Sequence, residues 1–198
     1  MDPHIERIDW VRCESGYFRD DQAAIRVGAP RDGFAYDGPP LTPGFAQIRE
    51  PGLVLTVLLH LSDGHVVTGD CAEVQYPGVG GRAAPLTTAS GAELVETVLR
   101  PALIGRPVAA FRTSSAALAG LELPPWARYG ASQALLRAAA HAGRRPMARV
   151  VCDEWDLELP RRTVPVFAQS GEQPHDAVDR MVLKRVDALP HGLINNVE

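Results

Sequence analysis

Hydrophobic and polar residues along the first third of the chain follow the spacing of β-strands. The pattern predicts strands over residues 4–13, 45–49 and 53–61. The tight-turn sequence Ser62-Asp63-Gly64 then predicts a hairpin with a return strand over residues 65–69. We therefore expect an antiparallel meander of about three strands in this part of the protein.

Apolar residues take helical spacing in the middle of the chain. The sequence Ser90-Gly91-Ala92-Glu93 has the form of a capping box, which predicts a helix that buries Leu94, Val95, Val98 and Leu99. Further helices are predicted over residues 108–118, from Pro125 onward, and over residues 146–154. One side of the helix after Pro125 is expected to carry Trp126, Tyr129, Leu136 and Ala140. Strands followed by helices predict an α+β domain.

A third pattern begins after Pro160-Arg161-Arg162, which has the composition of a linker. Residues 164–168 form a continuous apolar run, as expected of a parallel strand covered on both faces. Residues 176–186 have helical spacing, and residues 189–194 are a candidate for the next strand. This order predicts roughly the first one or two β/α units of a TIM-type barrel. We therefore expect one domain over residues 1–160 and the start of an incomplete barrel over residues 161–198.

Composition and charge exclude two classes of partner. The net charge is −4, the pI is about 5.9, and no basic stripe of the kind found in nucleic-acid-binding proteins is present. No apolar run approaches the roughly 18 residues that a membrane span needs. The chain shows no signal-peptide pattern, and Cys13, Cys71 and Cys152 fit no disulfide or metal motif. We expect a cytoplasmic protein with reduced thiols that binds neither nucleic acid nor membranes.

Three polar residues are candidates for contact with a small-molecule substrate. Gln169 directly follows the apolar run at residues 164–168, and the carboxyl ends of barrel strands form the active-site face of such folds. His191 falls in the next predicted strand, and imidazole is the usual proton-transfer group near neutral pH. Gln75 belongs to a glycine-rich loop that could cover a barrel mouth. The alternatives are a glutamine bonded to loop backbone, a structural histidine and a plain connecting loop.

The sequence contains no recognisable metal or nucleophile motif. The residues that flank the predicted hairpin include His60, Asp63, His65 and Asp70, but two histidines do not form a metal centre, and a solvated hairpin end is favoured. The glycines between Gly78 and Gly81 lack the spacing of a phosphate loop. No GxSxG sequence occurs, and no cysteine stands in a nucleophile signature.

Three long sequence segments carry a family resemblance. They run from Asp20-Asp21-Gln22 to Gly33-Phe34, from Gly69-Asp70-Cys71-Ala72 through Val74-Gln75-Tyr76 to Gly80-Gly81-Arg82, and from Val164-Pro165-Val166-Phe167-Ala168-Gln169-Ser170-Gly171 through Leu189-Pro190-His191 to Val197-Glu198. Arg128-Tyr129-Gly130 with Gln133-Ala134 adds a shorter segment. All of them closely resemble methylaspartate ammonia-lyase, of the enolase superfamily. The resemblance implies an enolase-superfamily N-terminal capping domain, made of the meander and helices, followed by a truncated TIM-type barrel.

The resemblance also implies an activity, the reversible loss of ammonia from 3-methylaspartate to give mesaconate. In such a reaction Mg²⁺ bound to the substrate carboxylate stabilises the charge that develops when the neighbouring proton is removed. By resemblance, Gln169 hydrogen-bonds the metal-bound carboxylate, and Gln75 lies near the amino group, where it influences which amines are accepted. His191 resembles the histidine that transfers a proton for the epimeric substrate, opposite the principal lysine base.

The resemblance places the carboxylate ligands of Mg²⁺ and the lysine base on later barrel strands, beyond these 198 residues. We therefore expect that the chain alone binds no Mg²⁺ productively and lacks lyase activity. One interpretation is an N-terminal portion of a full-length lyase, which by resemblance is a homodimer acting on an amino-acid substrate. Another is one subunit of a split lyase, in which a complementary chain supplies the missing C-terminal barrel segment. A non-catalytic binding module is the third.

Overall fold

An antiparallel sheet of three long strands forms one layer of the protein, and the computed structural model describes residues 2–73, 76–168 and 174–188. In chain order the strands are β1 (Ile5–Asp20), the short β2 (Arg31–Asp32) and β3 (Ala35–Tyr36), β4 (Arg49–Leu61) and β5 (Val66–Ala72). The long strands lie in the order β1-β4-β5, while β2 and β3 pair separately. The predicted meander is confirmed, but residues 45–48 form a loop before β4 instead of a strand.

Helices that follow the sheet in the chain form the second layer, and one short helix precedes them. They are α1 (Gln22–Arg26), α2 (Thr88–Leu94) with a π-helical continuation (Val95–Leu99), α3 (Arg100–Leu103), α4 (Phe111–Ala119), α5 (Pro125–Ala142) and α6 (Met147–Glu154). The predicted capping box at Ser90 is displaced. Thr87 is the N-cap of α2, its hydroxyl accepts the Ser90 N–H at 3.0 Å, and Ser90 Oγ accepts the Thr87 N–H at 3.1 Å. Serine thus takes the role that glutamate has in the usual box.

Alternate residues of β4 carry the middle of the core. Leu55, Val57, Leu59 and Leu61 are each at most 1% exposed. On the helical side, Val95, Leu99 and Leu103 are equally buried, whereas Leu94 and Val98 pack at the margin of the same cluster. None of the described helices is long and apolar enough to cross a membrane.

The residues that α5 buries are not the set that was predicted to share one side of the helix. The buried residues are mostly small: Trp126, Ala127, Gly130, Ala131, Ala134, Leu135, Ala138 and Ala139. Tyr129, predicted on the same side of the helix as Trp126, is 59% exposed, whereas Trp126 is buried. The reason is packing distance, since alanine and glycine let the helix axis approach the sheet more closely than large apolar side chains would allow.

The backbones of sheet and helix come into direct contact between Gly69 on β5 and Gly130 on α5. A Cβ atom added to Gly69 would stand 2.0 Å from the Gly130 carbonyl oxygen. A Cβ atom added to Gly130 would stand 2.4 Å from the sulfur and 2.6 Å from the backbone nitrogen of Cys71. Burial, with a smaller contribution from Asp70, raises the pKa of Cys71 to about 12, so this thiol behaves as a packed apolar group.

The chain divides into two compact units, Met1–Leu157 and Glu158–Glu198. The second unit contains α7 (Pro174–Leu183) and a parallel bridge between Phe167 and Ala188. The N–H groups of Asp187 and Ala188 both donate to the Val166 carbonyl oxygen. Parallel pairing across a helix is the connection that a β/α repeat requires. The strand predicted at residues 189–194 lies outside the described residues.

The Gly69–Gly130 contact predicts a position-specific effect of a single methyl group. Gly130→Ala should lower the free energy of unfolding by about 2 kcal/mol or more, because overpacking against β5 outweighs the roughly 1 kcal/mol that alanine gains inside a helix. Gly120→Ala is the matched control, since a Cβ atom at Gly120 meets nothing within 4 Å. Urea denaturation measures both variants. Equal stability of the two would contradict the contact.

Candidate functional site

The three residues predicted to contact substrate, Gln75, Gln169 and His191, lie outside the residues that the structure describes. The chain around Gln75 is described up to Glu73 and again from Tyr76 onward. Glu73 belongs to a buried ion cluster of the N-terminal unit and also lines an adjoining pocket. Together they form the candidate functional site.

Arg19, at the end of β1, is the centre of the buried ion cluster and is only 6% exposed. Its guanidinium forms ion pairs with Glu50 on β4 and with Glu73, which directly follows β5. It also donates hydrogen bonds to the carbonyl oxygens of Leu86, at 2.9 Å, and Gly44, at 3.3 Å. The rigid fork of donors on arginine suits such a multiple contact. One side chain therefore joins four separate segments of the chain.

Glu73 is held through both its side chain and its backbone. Oε2 accepts the Leu86 N–H at 2.6 Å, and the Glu73 carbonyl oxygen accepts the hydroxyl of Tyr17. Burial raises the pKa of Glu73 above its usual value, while the Leu86 N–H and Arg19 oppose that rise. Burial also acts to lower the pKa of Arg19, but the two carboxylates raise it, so the guanidinium stays charged. Both carboxylates of the cluster share this cation, and each also accepts backbone N–H groups.

Two aspartates beside the cluster anchor the loop that leads into β4. Arg49 donates two hydrogen bonds to Asp20, at 2.7 and 2.8 Å. Asp21 is fully buried and caps α1, and it also accepts the N–H groups of Leu41 and Thr42 and the Thr42 hydroxyl, the last at 2.6 Å. Burial acts to raise the pKa of Asp21, but the hydrogen bonds from Thr42 and Leu41 bring it below its usual value.

A pocket of about 660 Å³ adjoins Glu73. It is lined by Ala72, Glu73, Pro77, Gly81, Arg82, Ala83, Ala84, Pro125, Trp126 and Tyr129. This volume is typical of small-molecule sites, and the aromatic rings come from the first turns of α5. Because the Glu73 carboxylate is already engaged by Arg19 and Leu86, the described walls suit binding of a ligand better than transfer of its proton.

Within residues 2–73, 76–168 and 174–188, no group of three or more His, Cys, Asp or Glu side chains could hold a metal ion. The hairpin histidines make other contacts. His60 lies 2.9 Å from Asp9, and His65 stacks on His141 with ring centroids 3.8 Å apart. The described residues therefore do not fit a Mg²⁺ site.

The order of elements defines the class of protein. An antiparallel meander followed by helices, and then a parallel β/α connection, is the arrangement of an enolase-superfamily N-terminal domain with the start of its barrel. Methylaspartate ammonia-lyase structures share it at a TM-score of 0.92. The predicted fold class is confirmed.

Family comparisons identify the particular branch of this class. The model of the methylaspartate ammonia-lyase N-terminus matches residues 3–156, and that of the C-terminus matches residues 158–198. The chain belongs to the methylaspartate ammonia-lyase family. The enzyme of Citrobacter amalonaticus is 46% identical over 189 residues, which cover 93% of this chain and 46% of that enzyme.

Two crystal structures support the same assignment. The Citrobacter amalonaticus enzyme containing (2S,3S)-3-methylaspartic acid matches 98% of this chain and 49% of its own, with 44% identity. The magnesium complex of β-methylaspartase from Clostridium tetanomorphum has a TM-score of 0.91 and 41% identity, over 98% of this chain and 48% of its own. The chain thus spans about half the length of the relatives that it matches.

The ion cluster and the pocket were not predicted from sequence, although one signal for the cluster exists. In the antiparallel pairing of β1 with β4, Arg19 lies opposite Glu50 and Asp20 lies opposite Arg49. The dipeptides at residues 19–20 and 49–50 therefore have complementary charges when the two strands are aligned antiparallel. Glu73 carries no comparable signal, because it follows a strand end and meets Arg19 only through the tertiary fold. Tyr129 belongs to a family-like motif, yet its position on the pocket wall depends on how α5 rotates against the sheet.

The lowered pKa of Asp21 predicts a pH-dependent contribution to stability. Since the folded-state pKa lies below the unfolded one, this contribution is fully present above the unfolded value of about 3.9 and is lost as the pH falls through the folded value. Asp21→Asn should lower the free energy of unfolding at pH 7 by about 1–3 kcal/mol, and the difference from wild type should shrink below about pH 4. Urea denaturation across pH values measures this.

The control for Asp21 is Asp37→Asn, since Asp37 is exposed in the same loop region. It should change the free energy of unfolding at pH 7 by less than about 0.5 kcal/mol, as substitutions at exposed positions usually do. A pH-independent effect of Asp21→Asn would show that the carboxylate charge is not what holds Leu41 and Thr42.

Proposed function

We propose that this chain forms the N-terminal domain and the opening barrel segment of a methylaspartate ammonia-lyase. The complete enzyme would eliminate ammonia reversibly from 3-methylaspartate to give mesaconate. The family match, which extends over residues 3–156 and 158–198, is the observation that carries the proposal. The parallel bridge between Phe167 and Ala188 supports it further, because a β/α connection is the repeating unit of a barrel and this one falls within the residues that the C-terminal family model matches.

Three residues of this chain would contact the substrate. Gln169 would donate a hydrogen bond to the carboxylate next to the carbon that loses its proton. Gln75 would lie beside the amino group and contribute to the choice of amine. His191 would accept or deliver the proton when the substrate has the epimeric configuration. These roles rest on the family-like segments that contain the residues. The remaining barrel would supply the lysine base and the Mg²⁺, which neutralises charge on the substrate carboxylate.

The complete enzyme would be a cytoplasmic homodimer acting on a small amino acid. The acidic net charge of −4 is in keeping with a metabolic enzyme that does not bind nucleic acid. The missing part of the barrel would come either from the same polypeptide or, in a split lyase, from a complementary chain.

The proposed function predicts activity only when the barrel is completed. The chain alone should release no measurable ammonia from 3-methylaspartate in the presence of Mg²⁺. The Citrobacter amalonaticus relative matches 93% of this chain, and fusion of the chain to the remaining barrel portion of that relative should restore ammonia release.

In the fused enzyme Gln169→Ala should lower kcat/KM by about 100-fold, as loss of one preorganised donor does. Gln47→Ala, at an exposed loop position, should leave it unchanged.

Two outcomes would contradict the proposal. Turnover by the chain alone would show that the catalytic groups are not in the remaining barrel. A folded, fused protein that binds mesaconate in a calorimetric titration without releasing ammonia from methylaspartate would favour a binding module.

A further inference from the structure

The outer edge of β1 is open in the middle of the strand. At the start of β1, the Ile5 N–H donates to the Arg106 carbonyl oxygen at 3.0 Å, and the Ile5 carbonyl oxygen accepts the Gly105 N–H at 2.8 Å. The Ile8 carbonyl oxygen accepts Arg100 Nε at 2.9 Å. Beyond Ile8, no strand among the described residues pairs with this edge, because β1 stands at the end of the sheet order. An open edge of this kind is a template for another strand.

The direction of the backbone groups along this edge follows from Ile8. Residues 7–14 pair with β4 without a register shift, so successive residues direct their N–H and C=O groups alternately toward β4 and away from it. The Ile8 carbonyl oxygen is directed outward, to Arg100. Arg12 and Glu14 are four and six positions after Ile8 and share its direction. Their backbone groups are therefore directed to the open edge.

The same two residues carry opposite charges. Arg12 and Glu14 are both exposed, and neither side chain makes an ion pair or a hydrogen bond with another residue in the described part of the chain. Charged side chains on an edge strand commonly keep other strands away. Opposite charges that are separated by one residue do not keep away a second copy of the same strand, because an antiparallel copy presents them in the reverse order.

A two-fold antiparallel pair centred on Cys13 satisfies both the charges and the backbone groups. Arg12 of each copy lies opposite Glu14 of the other copy, as a self-complementary interface requires. Because both residues direct backbone groups to the edge, they form hydrogen-bonded pairs, and Cys13 faces Cys13 of the other copy at a non-hydrogen-bonded position. Centring the pair on Arg12 or on Glu14 would instead place like charges opposite each other.

We propose that the edge of β1 around Cys13 is an interface between two copies of this chain, which joins their three-stranded sheets into one continuous antiparallel sheet. Val11, which is 48% exposed and lies on the same face as Cys13, loses part of its exposure in this pair. The inference gives a surface to the homodimer of the proposed function, from which it takes only that two copies associate. Association and lyase activity are measured separately, so a failure of one leaves the other standing.

The first experiment measures association of the 198-residue chain by sedimentation equilibrium. We expect a dimer with a dissociation constant on the order of 10 µM, since the interface is small. Arg12→Glu places like charges in both cross-strand pairs and should raise the dissociation constant at least about tenfold. Combining Arg12→Glu with Glu14→Arg exchanges the two charges and should return the constant to within about threefold of the original value. Glu6→Arg, an exposed charge reversal outside the paired residues, is the control and should leave it unchanged.

Three results of this experiment would overturn the proposal. The first is a chain that stays monomeric at concentrations well above the expected dissociation constant. The others are a dimer that Arg12→Glu does not weaken, and a weakened dimer that the exchange of charges does not restore, because association would then use another surface. Urea denaturation of each variant establishes that a loss of association is not a loss of folding.

The second experiment tests the register through oxidation of Cys13, which is exposed, whereas Cys71 and Cys152 are buried. Cα atoms at a non-hydrogen-bonded position are about 4.5 Å apart, which a disulfide can span. Diamide takes up two electrons and two protons from two thiols and should link the unmodified chain into a covalent dimer on a non-reducing gel.

Two variants serve as controls for this linkage. Cys13→Ser should remain unlinked, and Arg12→Glu, which keeps the thiol, should link at least about tenfold more slowly because it weakens the pair. Absence of the Cys13 link in the unmodified chain, or equal rates in that chain and in Arg12→Glu, would contradict a pair centred on Cys13.

Discussion

The buried positive charge of Arg19 is the constraint on which the ordered loops of the N-terminal unit depend. Two carboxylates, Glu50 and Glu73, share this one cation away from water. If the guanidinium were absent, Glu73 would keep the Leu86 N–H and Glu50 would keep backbone N–H donors, but both carboxylates would lose the charge that they share, and breaking a buried pair in this way is strongly destabilising. The end of β1, the start of β4 and the chain after β5 must therefore meet at one point. The pocket beside Glu73 is lined by the end of β5, the chain that follows it and the first turns of α5.

A second constraint, of sterics rather than charge, places α5 beside the same point. Gly69 and Gly130 permit backbone-to-backbone contact between β5 and α5, and small residues continue that contact along the helix. Since β5 ends at Ala72, close packing near its middle brings the first turns of α5 next to the pocket. Trp126 and Tyr129 become pocket walls for this reason. The ion cluster holds Glu73 and the glycine contact holds α5, and both contribute walls to the pocket.

The order and type of most elements could be predicted from sequence. Alternating apolar residues identified β4 and its neighbours, and Pro125 correctly marked the start of α5. The errors have local causes. Serine can take the N3 position of a capping box. Here Thr87 is the N-cap and Ser90 is N3, so the helix begins at Thr88 and not at Ser90. The sequence pattern put Tyr129 on the same side of α5 as Trp126, whereas the packed helix buries the smaller side chains and leaves Tyr129 exposed. Gln169 and His191 were singled out from the predicted barrel strands and Gln75 from a glycine-rich loop, and the family-like segments suggested their roles, which stay predictions because all three lie outside the described residues.

By itself, the sequence determined that strands precede helices, that a β/α unit follows, and that the chain resembles the ammonia-lyase family to which it belongs. Periodicity and motifs are local properties, so they can be recognised directly in the order of the residues. Only the tertiary structure decided that Arg19 reaches Glu73, a residue more than fifty positions away, and that Gly69 touches Gly130. Those contacts depend on strand register and helix rotation. Both are set by the summed packing of many residues, which no short stretch of sequence encodes.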